Sequence, residues 1–141
     1  MTEIALTPGL RHSARLTVDE SLTVPAVNPS FTGFADMPRV LATAFLVAFV
    51  ESTCVEALSP LLPSGTQTVG TLVNISHTAA TPVGLTVTAT VELIEVDKRR
   101  LRFAVECRDD RDVIGKGHHE RFIIDRRAFD ASAEAKRANP S

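Results

Sequence analysis

The chain has 141 residues, of which 44% are hydrophobic and 23% are charged, and its formal net charge is −2. This length and composition predict one folded domain with a single core. The small net charge gives no broad attraction to nucleic acid or to an anionic membrane. With no Trp and no Tyr, the chain also has few rings for stacking on nucleobases. The N-terminal sequence lacks a basic region followed by an apolar run, so we expect a cytoplasmic protein.

A short strand and a loop are predicted before the main helix. Residues 1–10 form a weak tail, and residues 12–18 alternate loosely between polar and apolar side chains, which favours a first strand. Residues 25–35 are rich in turn-forming residues and are predicted as a loop. Phe31 and Phe34 are apolar groups within this loop. They are expected either to plug the end of the core or to wall a pocket.

One long, apolar helix is predicted within residues 36–62. Asp36 is a suitable N-cap, Pro38 suits the first turn, and roughly twenty residues follow without a further helix breaker. Apolar residues recur at spacings of three and four, so we expect the helix to be buried on most sides. Thr43 and Glu51 are the polar exceptions. A carboxylate in such surroundings carries a desolvation cost unless it has a partner or a chemical task.

Four strands separated by turns are predicted within residues 68–125. Residues 85–93 alternate strictly between apolar and polar side chains, which is typical of an antiparallel strand with one buried face. Residues 101–108 repeat this alternation. The polar segments at 97–99 and 109–112 are short enough for hairpin turns.

The end of the chain contains one more strand and a polar tail. Residues 113–124 include Gly115 and Gly117, which indicate a bulge or a close approach to another backbone. The tail from Arg126 is rich in Ala and charged residues and is expected to form a short helix and then fray.

The predicted order is therefore a strand, a long helix and four antiparallel strands in a meander. A single apolar helix laid against one face of a strongly curved sheet buries both surfaces. This arrangement is the hotdog fold, so the sequence predicts one α+β hotdog domain over residues 1–141.

Three residues are the first candidates for chemistry: Thr43, Glu51 and His77. Strand alternation places His77 on the same face as Val73 and Ile75, and therefore towards the helix and into the core. Alone, each candidate has a structural interpretation: a core histidine that satisfies a hydrogen bond, a threonine bonded back to a helix carbonyl, and a carboxylate bonded to a hydroxyl. In combination they favour a general acid or base beside a carboxylate.

The spacing of Thr43 and Glu51 has a consequence for assembly. On one helix, residues eight apart are separated by roughly 12 Å along the axis and about 80° around it. The two side chains therefore cannot hydrogen-bond to each other within one chain. If they serve one site, a second copy of the helix must bring its glutamate near the threonine, which predicts a two-fold homodimer with shared sites.

Arg121 and Gly70 each leave two interpretations open. Arg121 could form a salt bridge at the end of a strand, or it could contact a phosphate or carboxylate of a ligand. Gly70 could mark a bulge, or a place where backbone amides approach a substrate carbonyl.

The histidines and cysteines do not predict a metal site. His118 and His119 are adjacent in a predicted strand and so face opposite sides, and no cysteine or further histidine stands at a ligand spacing. Cys54 and Cys107 are expected to be buried free thiols. We expect neither a metal nor a cofactor.

Three segments resemble a known family: ATAFLVAFVESTCVEALSPLL at 42–62, GTLVNISHTAATPVGLTVTATVEL at 70–93 and GKGHHERFII at 115–124. Together they are similar to the fluoroacetyl-CoA thioesterase family and its close relatives among hotdog thioesterases. The resemblance extends from about residue 12 to residue 130, and HTAATPxGLTVT is its most specific part. It implies a homodimer that hydrolyses a short acyl-CoA thioester.

The resemblance also implies roles for individual residues. The catalytic threonine, glutamate and histidine of the family fall on Thr43, Glu51 and His77. The substrate-binding positions, which are a glycine and an arginine near the thioester and acyl group and two lid phenylalanines, fall on Gly70, Arg121, Phe34 and Met37. The last of these departs from the family pattern, because a methionine stands where the second lid phenylalanine is expected.

The mechanism and one competing function stay open at this stage. His77 and Glu51 could activate water, or the carboxylate could form an acyl-enzyme, while Thr43 and nearby helix amides stabilise the oxyanion. The competing function is a non-catalytic hotdog protein that binds acyl-CoA without turning it over. A hydratase on the same fold is less favoured, because its usual pair of Asp and His is not found.

Overall fold

The computed structural model describes residues 6–138. Within that range, five strands and two α-helices are joined by loops and short 3-10 turns. Their bounds are β1 Arg11–Thr17, α1 Thr43–Leu58, β2 Thr66–Ile75, β3 Thr86–Asp97, β4 Arg100–Arg108, β5 Val113–Asp125 and α2 Arg126–Ala138. The predictions of a first strand and of a helix in the C-terminal tail are confirmed. Predictions that concern residues 1–5 and 139–141 lie outside the described residues.

The strands form one antiparallel sheet in the order β1-β3-β4-β5-β2. The helix α1 packs against β1, β2 and β3, and one long helix against one antiparallel sheet is the predicted hotdog arrangement. The meander of β3, β4 and β5 is confirmed. The predicted position of β2 next to β3 is wrong, because β2 pairs with β5 at one edge of the sheet while β1 pairs with β3.

The connection after β2 explains why this strand lies beside β5. The Ser76 N–H donates to Lys116 O at 2.9 Å, and the Thr78 N–H donates to Ile114 O at 2.7 Å. The chain therefore continues along β5 beyond the end of β2 before it crosses to β3. These long-range bonds have no local sequence pattern, which is why alternation alone predicted a simple meander.

Two glycines in β5 allow this close approach. A Cβ at Gly115 would overlap the carbonyl oxygen of Ser76, and a Cβ at Gly117 would overlap that of Asn74. The predicted close approach of another backbone at these glycines is confirmed. Their missing side chains let β2 and the segment after it lie directly against β5.

The helix α1 begins later than the sequence predicts. Its first residue is Thr43, and Asp36 does not cap it. The residues before the helix are instead paired over long range: the Leu41 N–H donates to Thr81 O at 2.9 Å, and Val40 O accepts from Val24 N–H at 3.1 Å. These bonds hold the backbone extended, so tertiary pairing overrides the local cap and proline.

The core lies between α1 and the sheet. Every second residue along most of β3 and β4 is buried, which confirms the predicted alternation. The largest fully buried apolar side chains are Val18, Leu41, Leu46, Val50, Leu58, Val87, Val91, Leu93, Leu101, Phe103 and Ile114.

Both cysteines are buried free thiols, as predicted. Burial raises the pKa of Cys54 to about 12 and that of Cys107 to about 11. A thiol with so high a pKa is protonated at neutral pH and is a poor nucleophile. Neither cysteine is therefore suited to catalysis.

One face of α1 is not covered by its own chain. Ala44, Ala48 and Val55 are exposed, and they lie along one side of the helix at spacings of four and seven. We call this surface the α1 stripe. The prediction that the helix is buried on most sides is therefore wrong for a single chain.

The segment Thr43–Leu61 is long and apolar enough to cross a membrane by length and composition alone. The core helix of a water-soluble protein also meets that criterion when its apolar side packs against a sheet. Here Leu46, Val50 and Leu58 are fully buried against the sheet, and Glu51 stands in the middle of the segment. This helix is thus a core element of the hotdog domain.

Candidate active site

The first residue of α1 contacts the segment that follows β2. Thr43 Oγ1 and His77 Nδ1 lie 2.7 Å apart, within hydrogen-bonding distance. We call these two residues the Thr43–His77 pair. The segment is anchored by Thr81, whose carbonyl accepts from Leu41 and whose hydroxyl donates to Asp109 at 2.8 Å. The pair is consequently held at the junction of the helix, the segment after β2 and the β4–β5 turn.

His77 faces α1 as predicted, but it meets the start of the helix instead of entering the core. The reason is that β2 ends at Ile75, so strand alternation does not extend to this residue. His77 is half-buried, and burial lowers its pKa below the ordinary value of 6.5. Its imidazole is therefore neutral at pH 7 and can accept a proton.

The second ring nitrogen of His77 has no protein partner. Nε2 is buried and makes no hydrogen bond within residues 6–138. A buried polar atom without a partner is costly, and in native proteins such atoms are uncommon outside functional sites. A substrate atom or a water molecule at this nitrogen would remove that cost.

A cavity of about 250 Å³ adjoins the pair. Its lining residues are Val24, Val40, Leu41, Thr43, His77, Thr78, Ala79 and Ala80. Thr43, the first residue of α1, is among them. The Phe45 and Leu46 amides donate to Ala42 O, whereas no side chain caps the two helix amides before them. The start of the helix therefore offers N–H donors and the positive end of the helix dipole beside the imidazole.

A second polar group lies two turns further along α1. Glu51 Oε1 accepts a hydrogen bond from Arg121 Nη1 at 3.0 Å. Arg121 is buried and also donates to Thr68, from Nε to the hydroxyl at 2.8 Å and from Nη2 to the carbonyl at 2.9 Å. The guanidinium is thus fixed on the strand side, and it holds one carboxylate oxygen in place.

This geometry changes the interpretation of Glu51 and Arg121. The Glu51 side chain is 39% exposed, so the prediction of a buried carboxylate is wrong for the single chain. The salt bridge considered for Arg121 is present, and Glu51 is its partner. A contact between Arg121 and a substrate stays a prediction.

Gly70 forms the floor beneath the Glu51 carboxylate. The register of β2 against β5 shifts between Gly70 and Leu72, which confirms the predicted bulge. A Cβ at Gly70 would overlap Glu51 Oε1 and would lie 3.3 Å from Arg121 Nη1. Only glycine leaves room for the carboxylate at this point. Access of a substrate carbonyl to the amides of the bulge stays a prediction.

His119 belongs to the same group, and no role was predicted for it. It is fully buried, and its ring contacts both Leu72 and Arg121. The alternation of β5 places His119 and Arg121 on one face, which was the available sequence signal. What the sequence could not show is that the bulge in β2 brings a carbonyl oxygen to this histidine.

The loop before α1 carries Phe34 and Met37, the two predicted lid residues, and also Phe31. The rings of Phe31 and Phe34 meet edge to face, with centroids 6.1 Å apart. Neither ring belongs to the buried core, so the interpretation of a plug at the core end is wrong. Met37 is 46% exposed and lines an open groove in the same loop. Contacts of Phe34 and Met37 with a substrate stay predictions.

The predicted site residues thus form two groups within one chain. Thr43 and His77 meet at the start of α1, whereas Glu51, Gly70 and Arg121 meet in its middle. The separation follows from the eight-residue spacing, which is roughly 12 Å of helix. Within residues 6–138, no cluster of three or more His, Cys, Asp or Glu side chains could hold a metal ion.

Solved structures with low sequence identity share the fold. A Thermus thermophilus member of the thioesterase superfamily is 22% identical, covers 98% of this chain and 96% of its own, and has a TM-score of 0.85. A hot-dog-like protein from Thermanaerovibrio acidaminovorans is 21% identical, covers 92% and 91% of the two chains, and has a TM-score of 0.78. Together, these likenesses show that the chain has the hotdog fold.

More similar proteins identify the family. The family described as "Fluoroacetyl-CoA-specific thioesterase" matches this chain over residues 18–127. The fluoroacetyl-CoA thioesterase of Streptantibioticus cattleyicolor is 42% identical over 132 residues, which are 91% of this chain and 95% of that protein. A solved fluoroacetyl-CoA thioesterase is 41% identical, covers 94% of this chain and 98% of its own, and has a TM-score of 0.91. The chain belongs to the fluoroacetyl-CoA-specific thioesterase family, and its activity is the hydrolysis of acyl-CoA thioesters.

Proposed function

We propose that this enzyme hydrolyses short-chain acyl-CoA thioesters without strong selectivity for a fluorinated acyl group. The observation that carries the proposal is the Thr43–His77 pair, whose neutral imidazole has an unpartnered nitrogen at the uncapped start of α1. This arrangement combines a proton acceptor with hydrogen-bond donors for a developing oxyanion. The name of the Streptantibioticus cattleyicolor relative supports an acyl-CoA substrate with a two-carbon acyl group.

Two routes to hydrolysis are compatible with this geometry. In one, His77 takes a proton from water as the water attacks the thioester carbonyl, and CoA leaves as the thiol. In the other, the Glu51 carboxylate attacks the thioester carbonyl and CoA leaves as a thiolate that takes a proton from water; a water molecule then hydrolyses the resulting anhydride, which releases the carboxylic acid and restores Glu51. Arg121 holds Oε1 of Glu51, while Oε2 makes none of the hydrogen bonds found within residues 6–138. That second oxygen is the one available to accept a proton or to attack.

A homodimer with shared sites completes the proposal. One chain presents the Thr43–His77 pair and Glu51 as separate groups. The exposed α1 stripe and the edge strand β2 provide apolar surface for a second copy, and Leu72 and Val73 of β2 are 40% and 49% exposed. A two-fold partner packed there would bring its own Glu51 towards the Thr43–His77 pair of the first chain.

Met37 in the predicted lid supports the proposed broad range of acyl groups. Met37 has three rotatable side-chain bonds before its methyl group and adapts to ligands of different shape. It is also exposed. A lid closed by methionine should therefore enclose a very small acyl group less tightly than a lid closed by two stacked rings.

A panel of CoA esters tests the proposal. Purified protein is incubated with acetyl-, propionyl-, butyryl- and fluoroacetyl-CoA, and the release of free thiol is followed. We expect hydrolysis of several of these esters at rates far above those of a His77→Ala control prepared in the same way. Binding of the esters by calorimetry without release of thiol would instead support the non-catalytic acyl-CoA-binding alternative.

A further inference from the structure

We propose that His119 is a positioning residue, whose uncharged ring fixes Arg121 and, through it, the Glu51 carboxylate against the bulge in β2. The inference rests on the proposed function of Glu51 in thioester hydrolysis. In this role the fully buried His119 positions Glu51, whereas the Thr43–His77 pair lies at the start of α1 and does not contact Glu51.

The two partners of His119 fix its tautomer. Nδ1 lies 2.7 Å from Leu72 O, and Nε2 lies 3.1 Å from Arg121 Nη1. A carbonyl oxygen can only accept, so Nδ1 carries the proton; a guanidinium can only donate, so Nε2 must have a free lone pair. Both contacts therefore require the neutral ring with its proton on Nδ1. Protonation of Nε2 would remove an acceptor and place a cation against another cation.

The surroundings of the ring favour the same state. Burial lowers the pKa of His119 below its ordinary value of 6.5, and the Arg121 charge acts in the same direction. The bond to Leu72 O, the Glu51 carboxylate at 3.9 Å from Nε2 and the Glu120 carboxylate oppose this lowering of the pKa without reversing it. On β4 the residue paired with His119 is Phe103, which is fully buried and contributes no charge. The ring is thus neutral at the pH at which the site would work.

A continuous chain of hydrogen bonds leads from the bulge to the carboxylate. Leu72 O accepts from His119, His119 accepts from Arg121 Nη1, and the same Nη1 donates to Glu51 Oε1. Nη1 is therefore held between two acceptors, one buried and one at the site. Without the acceptor on His119, Nη1 keeps only the Glu51 bond, so this end of the guanidinium can shift although Nε and Nη2 stay bonded to Thr68. Displacements of about 1 Å in a catalytic group can cost 100-fold in rate.

Two substitutions separate the two bonds of His119. In His119→Gln the side-chain oxygen can occupy the place of Nε2 and accept from Arg121, whereas in His119→Asn the side-chain amide can occupy the place of Nδ1 and donate to Leu72. We expect kcat to fall at least about tenfold in His119→Asn with KM changed less than about threefold, because the Arg121 bond is lost. His119→Gln should keep at least about a third of wild-type kcat. His118→Asn, which changes the half-buried neighbour on the opposite face, is the matched control and should behave as wild type.

Unfolding measurements distinguish a positioning role of His119 from a purely structural one. Both His119 variants lose one buried hydrogen bond, so their midpoints of urea unfolding should fall by similar amounts. If kcat follows the unfolding midpoint in the two variants, or if His119→Asn keeps wild-type kcat, the inference is wrong.

Nitrogen NMR of the wild-type enzyme gives a readout that does not depend on activity. Long-range ¹⁵N–¹H spectra distinguish the two neutral tautomers and the charged ring. We expect His119 to show a protonated Nδ1 and an unprotonated Nε2 at pH 7, and a ring protonated on Nε2 would overturn the inference. If the wild type hydrolyses no ester of the panel, the proposed function fails and the role of His119 fails with it. If the wild type is active and His119→Asn equals it, only the role of His119 fails.

Discussion

Thr43 Oγ1 lies 2.7 Å from His77 Nδ1, and this contact joins the first residue of α1 to the segment after β2. Because the hydroxyl occupies one ring nitrogen, the other is left buried and unpartnered. The hydroxyl thus helps to hold the orientation of the imidazole beside the neighbouring cavity. Thr43 is in this way a support for His77.

Replacing His77 should separate activity from stability. We expect His77→Ala to lose most of its hydrolytic activity, because the proton acceptor is gone. The folded state should lose only about 1–3 kcal/mol, the usual cost of a lost buried hydrogen-bond partner. Thiol release and urea unfolding of the same preparation test both expectations. A variant that unfolds far below wild type would favour a purely structural histidine.

Mixing two inactive variants tests the shared site. Thr43→Ala and Glu51→Ala should each be nearly inactive as homodimers. Heterodimers contain one site with both substitutions and one with neither, so partial activity should return. The two chains are given different affinity tags, so that heterodimers can be isolated before thiol release is measured. Isolated heterodimers without recovered activity would rule out a site built from two chains.

The pH dependence of stability follows from two histidines, the half-buried His77 and the buried His119. Burial lowers the pKa of His77 and of His119 below 6.5 in the folded state. The unfolded chain therefore binds protons at a higher pH than the folded one. Stability should be complete above about pH 6.5 and should fall as the pH drops through that value. Urea unfolding at pH 5, 6, 7 and 8 measures this trend, and constant stability from pH 7 to pH 5 would contradict it.

The strand pattern and the site residues could be predicted from the sequence to different degrees. The alternation in β3 and β4 reports burial directly, so both strands were predicted correctly. The start of α1 could not be found, because Leu41 is paired with the distant Thr81 and not with a local cap. For His119, the sequence indicated only that it shares a strand face with Arg121. Its contact with Leu72 O depends on the bulge in β2, which no local sequence pattern reveals.

Gly70 should not tolerate a side chain. A Cβ there would overlap Glu51 Oε1, so Gly70→Ala should displace the carboxylate and lower kcat at least about tenfold. Gly33→Ala is a suitable stability control, because a Cβ at Gly33 meets no atom within 4 Å. Steady-state kinetics and unfolding of both variants give the comparison. Full activity of Gly70→Ala would show that the carboxylate does not need its present position.

The lid residue Met37 should set the range of acyl groups. We expect Met37→Phe to narrow the range towards acetyl-sized groups, because a second ring can pack on its neighbour and enclose a smaller space. One methylene in an apolar pocket is worth roughly 1–3 kcal/mol, so the change should be visible in kcat/KM for acetyl-, propionyl- and butyryl-CoA. If the wild type already prefers fluoroacetyl-CoA over acetyl-CoA by several orders of magnitude, the lid residue is not the source of selectivity.

The close packing around Gly70 also determines how this enzyme could be redesigned. Glu51, Arg121 and His119 all meet the glycine, so a substitution library aimed at this floor would consist mainly of inactive proteins. Phe31 and Met37 keep 53% and 46% of their surface exposed, so many side chains could replace them at little cost to folding. A search for variants that accept new acyl groups should therefore randomise Phe31 and Met37 and leave the residues around Gly70 unchanged.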